Sequence, residues 1–373
     1  VLGSRGLGDV YKRQAYALAI LDDDSLSHPR LEFVCTVCEE VGMEGATGID
    51  VSMLKGKKLL NMDSEEEGVM LASCAGGCRA DVKLPVERET VSGTKLTVSL
   101  SGLTGGHSGS EIDKGRGNAN TLMSRLLRDA SAPVAIASID GGRKDNAIPR
   151  ECTAQIIVAP DEVAAVKASI EQAAAEIAEE FKASDPDLKL AVSEETDCSE
   201  SAISAKDSAR VIALIEALPN GIIRMSREID KLVETSLNLG VLKSDDTAVT
   251  LRYAVRSSVG VAKKSLKNQL VCIAGAFAAE VTFEGDYPAW EYKKDSKLRE
   301  DMVRIFEEMY GKKPTVEAIH AGVECGLLSG KIEGLDCISM GPDMYDIHTT
   351  EERLSISSAK RSYEYILRVI ACK

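Results

Sequence analysis

The chain has 373 residues, room for two or more domains; it is 44% hydrophobic but only 4% aromatic, so its core would be packed with Ala, Val, Leu and Ile. Its 59 acidic against 45 basic residues give a formal net charge of -14, which argues against nucleic acid or an anionic membrane as partner. The ten cysteines lack paired CxxC spacing and there are four histidines, so most thiols read as buried and reduced, as in the cytoplasm. No stretch reads as a bilayer span or a signal peptide.

In chain order, residues 1–14 (VLGSRGLGDVYKRQ) show no sustained period and read as a non-native leader outside the body of any domain. Helical register begins abruptly at residue 15 and runs to 21, closed by the acids at 22–24 and by Pro29. Residues 31–38 and 58–62 read as buried parallel strands. Each delivers acids at its C-terminal end, Glu39 and Glu40 after the first and Asp63 after the second. Ligands of open α/β sheets sit outside such ends. Acids from two of them can converge on a cation, which offsets their repulsion. Residues 69–74 form a further strand. The alternation of 83–100 predicts an antiparallel strand with one wet face.

Helices are then predicted over 118–128 (capped by Asn118 or Asn120), 161–182, 204–218 and 261–280. Strands are predicted at 134–140, 154–158, 188–192 and within 219–227, and a hairpin over 237–243 and 247–256. This β-α-β-β-α-β order occurs twice between about 85 and 284, as in an α+β insert with two similar halves. The helix 295–310, the strands 315–319 and 336–340 and the helix 355–369 return to α/β order. The chain thus divides into a leader (1–14), a discontinuous catalytic domain (15–84 plus 285–373) and an insert (85–284).

Several residues could carry chemistry. Glu39 and Glu40 could divide the tasks of base and metal ligand, or be a solvated loop pair. Asp63 suits a ligand or a turn cap. His348, in a polar loop, could ligate zinc or simply hydrogen-bond its loop. His320 could contact substrate or buttress the sheet. His107 lies between glycines, where an imidazole could stabilise an oxyanion or sit in a tight turn. Asn146 could donate to a carbonyl and Arg256 clamp a carboxylate. The glycine runs lack the Lys–Ser/Thr ending of a phosphate loop, and neither GxGxxG nor GxSxG occurs.

Six strings together resemble one family: HPRLEFVCTVCEEVGMEGA, LLNMDSEEEG, GLTGGHSGSEIDKGRGNAN, GGRKDNAIPRE, HAGVECG and GPDMYDIHTTEE. They resemble the dinuclear zinc peptidases of the M20 type, nearest to the bacterial Xaa-His dipeptidase (carnosine-splitting) branch. The resemblance implies an α/β fold, a zinc-peptidase-like three-layer catalytic domain that is discontinuous, with an inserted α+β lid and dimerisation domain. It implies Glu39 as general base, with Glu40, Asp63 and His348 as metal ligands. His107 would polarise the scissile carbonyl, supplied by lid closure or across a dimer. Asn146 and Arg256 would be lid groups that contact substrate, and His320, Glu324, Gly341 and Pro342 would line the site. The cofactor would be a pair of Zn2+ ions, with Co2+ or Mn2+ accepted, and the substrate a short peptide ending in histidine. A homodimer through the lid is implied.

Two family elements are missing: an early H-x-D string, and an A-D-N-G-like string with the metal-bridging aspartate. The place of the second reads GDVYKRQ. The expectation is an N-terminally truncated chain with an incomplete ligand set and impaired activity. One rival reading is a related deacylase or aminopeptidase built on the same ligands. Another is a non-catalytic homologue that binds peptides or dimerises.

Overall fold

The computed structural model describes residues 7–38, 43–347 and 351–372. The chain forms two compact units, Val1–Ala75 with Pro288–Lys373, and Gly76–Tyr287. The boundaries expected at 84/85 and 284/285 fall inside the strands Gly76–Pro85 and Glu280–Tyr287. One sheet holds both strands whole, so the division lies a few residues further out.

The first unit is built on a four-stranded sheet in the order Lys58–Asn61, Asp336–Ser339, Val69–Cys74, Thr315–Ile319. The two outer pairings are parallel, and the central one, Ser339 with Leu71, is antiparallel. Side chains alternate across a strand, so sequence neighbours enter opposite cores. Leu60, Met70, Ala72, Ile338 and Met340 pack with the helices Leu7–Leu21, Lys297–Tyr310 and Ile356–Ile370. Leu59, Leu71 and Cys337 pack instead with Trp290 and with Cys325 of the helix Glu324–Lys331. Helices on both faces of the sheet make the three layers.

Two expectations for this unit are corrected. Residues 7–14 are part of the helix Leu7–Leu21 rather than lying outside a fold. They lack an apolar period because Lys12, at 5% exposure, is turned inward as if it were a core residue. Residues 31–38 join no sheet. Phe33 and Val37 are exposed, and the Val37 and Cys38 carbonyls accept from Gly45 N at 2.9 Å and Met43 N at 3.0 Å. These two carbonyls are bonded outside any ladder, and an apolar run by itself does not specify one.

The second unit holds a nine-stranded sheet. Along it lie Glu280–Tyr287, Gly76–Pro85, Ala248–Ser257, Val233–Ser244, Ala135–Gly141, Cys152–Val158, Arg88–Ser101 and Lys189–Ile203. Gly221–Met225 pairs with Val233–Ser244 off this path. These strands make two quartets, each with its first and third strands inside and its second and fourth outside. The quartets join edge to edge where Leu242 pairs with Gly141 and Lys243 with Asp140. The two similar halves are present, and the first strand of the second half precedes the whole first half in the chain. Helices Ala119–Arg128, Val163–Phe181, Ala205–Ala217 and Gly260–Ala276 close the core over one face. Leu96, Val98 and Leu100 alternate into that core, each stabilising the fold by about 1.5–3 kcal/mol relative to exposure.

The ten cysteines are free, and six of them (Cys74, Cys78, Cys152, Cys198, Cys325 and Cys337) are buried. No helix among the described residues is long and apolar enough to cross a membrane.

Candidate active site

In the first unit, Asp63 follows the strand Lys58–Asn61, and Gly341 and Pro342 follow Asp336–Ser339. These strands are parallel, so their C-terminal ends meet. Met340 N donates to Asn61 O at 2.8 Å, Ser64 N to Met340 O at 3.3 Å, and the Ser64 and Ser339 hydroxyls lie 3.0 Å apart. A Cβ on Gly341 would fall 1.7 Å from the Ser64 carbonyl oxygen, so this approach requires glycine. Asp63, Gly341 and Pro342 are thereby brought to one edge of the sheet.

A cation stands at that edge. Arg13 donates through a guanidinium nitrogen to Asp63 Oδ1, with the aspartate side chain 9% and the arginine side chain 22% exposed. Lys12, the preceding residue, donates to Ser64 O at 3.3 Å, and its Nζ lies 2.9 Å from Met344 Sδ. The Asp63 charge also reaches the Cys325 thiol. That thiol is pushed up first by burial, then by the adjacent Cys337, with smaller contributions from Cys74 and Asp63.

His320 follows Thr315–Ile319, which runs opposite to Asp336–Ser339 through the shared neighbour Val69–Cys74. The loops holding His320 and Asp63 therefore leave opposite edges of the sheet. Both His320 and Glu324 are buried, and Glu324 opens the helix Glu324–Lys331 while accepting from the Thr36 hydroxyl at 2.5 Å. Glu39, Glu40 and His348 lie outside the described residues.

Among the described residues no group of three His, Cys, Asp or Glu side chains is placed to hold a metal ion. Asp63 has suitable ligand chemistry, but one of its oxygens accepts from Arg13. The described residues do not, as they stand, fit a dinuclear centre.

In the second unit, His107 and Asn146 come together. The short strand Gly106–His107 pairs with Ala147–Ile148, and Ser108 N donates to Asn146 O at 2.9 Å. Gly106 has φ 138, and a Cβ there would fall 2.3 Å from Arg116 Nη1, so the entry to His107 depends on glycine. Imidazole Nδ1 accepts from Gly109 N at 3.2 Å and Ser110 N at 3.1 Å. A nitrogen that accepts from backbone N–H groups carries no proton, so these bonds assign the neutral tautomer with its proton on Nε2. Burial first, then the Arg256 charge, lowers the His107 pKa, against a smaller opposing pull from Glu111. The ring is thus a neutral Nε2–H donor within the field of Arg256. Arg256 itself lies on Ala248–Ser257, donates to Tyr287 Oη at 3.4 Å, and has a buried Nε with no hydrogen-bond partner.

Sequence reasoning missed the groups that hold these in place. Buried Asn238 donates from Nδ2 to Asp145 O at 3.0 Å and Ala147 O at 2.8 Å, pinning the loop that carries Asn146. Asn118 donates to Asn238 Oδ1 at 3.1 Å while its own Oδ1 caps a helix. Glu111 receives His107 N at 2.8 Å and pairs with Arg116. The one signal for Asn238 was a lone amide inside the apolar run SLNLGVL. Arg13 gave no signal, since its surroundings read as a leader.

Residues 98–185 match the family model described as a peptidase dimerisation domain of the M20 type. Over 348 residues the chain is 35% identical to the cytosol non-specific dipeptidase of Escherichia coli K12, covering 92% of this chain and 72% of that protein. It is also similar to the crystal structure of aminoacylhistidine dipeptidase from Vibrio alginolyticus, with TM-score 0.88 and 32% identity, covering 96% of this chain and 74% of the other.

Proposed function

Since this chain belongs to the M20 peptidase family, we propose that it is a dipeptidase by lineage that cleaves short peptides, with Xaa-His dipeptides as its substrate class. The single observation that carries this reading is the 35% identity to a dipeptidase, extending over 92% of the chain. The likeness to an aminoacylhistidine dipeptidase favours the histidine preference.

Glu39 would take the proton of the attacking water and return it to the leaving amine. The Nε2–H of His107 would donate to the scissile carbonyl oxygen as charge develops there, a role that needs the proton on Nε2, where the bonds to Nδ1 leave it. Arg256 would pair with the substrate carboxylate and Asn146 with a peptide carbonyl. Gly341 and Pro342, beside Asp63, would line the site, and His320 and Glu324, whose loop leaves the opposite edge of the sheet, are not proposed to share it. Glu40, Asp63 and His348 are the proposed holders of divalent metal, zinc with Co2+ or Mn2+ as substitutes, which when bound supplies Lewis-acid activation of water. We further propose a catalytic role for the first unit, a homodimer through the second, and a cytoplasmic location.

This chain is expected to turn over poorly, because Arg13 occupies Asp63. The test is to assay the purified chain with β-alanyl-histidine, a histidine-free dipeptide and an N-acyl amino acid, with and without added Zn2+. Weak, zinc-dependent cleavage of the histidine dipeptide above the other two is expected. Cleavage of the acyl amino acid alone would favour the deacylase reading, and ordinary turnover with tight binding of two metals would overturn the impairment.

A further inference from the structure

We propose that Arg13 is a resident cation at Asp63, a guanidinium standing where the family reading places a metal ion, so that metal and arginine compete for one carboxylate. This rests on the reading of Asp63 as a metal ligand. Three observations carry it. Arg13 Nη2 is bonded to Asp63 Oδ1 in a half-shielded pair, where attraction is screened less than at the surface. Lys12, on the same helix, brings a second positive charge against the adjacent carbonyl, Ser64 O at 3.3 Å. The helix Leu7–Leu21 that carries both cations is anchored in the core by Tyr16 and Ile20, and Tyr16 Oη donates to Ala359 O at 2.7 Å. The cations are therefore delivered by a packed element and not by a loose arm.

A carboxylate is drawn toward any cation placed against it, and its acceptor oxygen cannot serve a guanidinium and a metal at the same position. A dication taking Asp63 Oδ1 must displace Arg13, and one approaching the other oxygen meets the repulsion of Arg13 and Lys12. The pair thereby acts as a built-in competitor, lowering metal affinity without altering any ligand.

The test measures Zn2+ and Co2+ binding to the whole purified chain, by competition with a chromogenic chelator, for wild type, Arg13→Gln, Asp63→Asn and the double variant. Arg13→Gln keeps hydrogen-bond donors at the site while removing the charge. It is expected to tighten binding roughly tenfold or more, and adding Asp63→Asn should abolish the gain. If Arg13→Gln leaves affinity unchanged while Asp63→Asn weakens it, the competition is overturned and the ligand reading of Asp63 stands. If neither substitution alters affinity, both fail. The shift in melting temperature on adding Zn2+, compared between Arg13→Gln and wild type, reads the same competition in folded protein. A shift no larger in the variant overturns the proposal.

Discussion

The proton on His107 is placed by its neighbours. Two backbone N–H groups point at Nδ1, and burial with the Arg256 charge holds the ring's pKa below its ordinary 6.5. An unfolded imidazole protonates more readily than this one, so the folded state resists the proton. The stability from keeping the ring neutral is complete above about pH 6.5 and is lost as pH falls through the lower folded value. Comparing the melting temperatures of wild type and His107→Gln at pH 7.5 and pH 5 checks this. The wild-type advantage should shrink at the lower pH, and an unchanged gap would count against the tautomer assignment. His107 itself was legible in sequence from its flanking glycines, but its protonation state was not, since that depends on Gly109, Ser110 and a strand more than a hundred residues away.

Among the elements, the helix Ala119–Arg128 shows how one side chain can serve two structures. The Asn118 Oδ1 accepts from Asn120 N and Thr121 N, closing the first turn, while its Nδ2 donates to Asn238 Oδ1 and Leu239 O at 3.1 Å each. Asn118→Ala removes the cap and leaves Asn238, which holds the Asn146 loop, short of a partner. The expected cost is about 1–3 kcal/mol, read by urea denaturation. A loss below the range for a cap alone would mean that the amide network contributes nothing. The helix and its cap were legible because capping is local. The run 31–38 misled because its composition matches a strand while its exposed Phe33 and Val37 find no sheet. Pairing is a property of the neighbour as much as of the segment.

For the molecule as a whole, the second unit enters and leaves its sheet side by side, with Tyr287 paired to Gly77. It also has its own large core. A fragment of residues 76–287 is therefore expected to fold alone and melt in a single cooperative transition, checked by circular dichroism and calorimetry. A broad, non-cooperative melt would show that the unit depends on the rest of the chain. The amino-acid sequence by itself determined the family strings, the period-two and period-3.6 elements and the doubled order of the insert, because each is written in residues close together along the chain. Only the tertiary structure decided that Arg13 stands against Asp63, that the Asp63 and His320 loops leave opposite sheet edges, and that Asn238 braces the Asn146 loop. Those facts depend on which distant segments share a sheet or a core, and burial and charge act through space without regard to chain order.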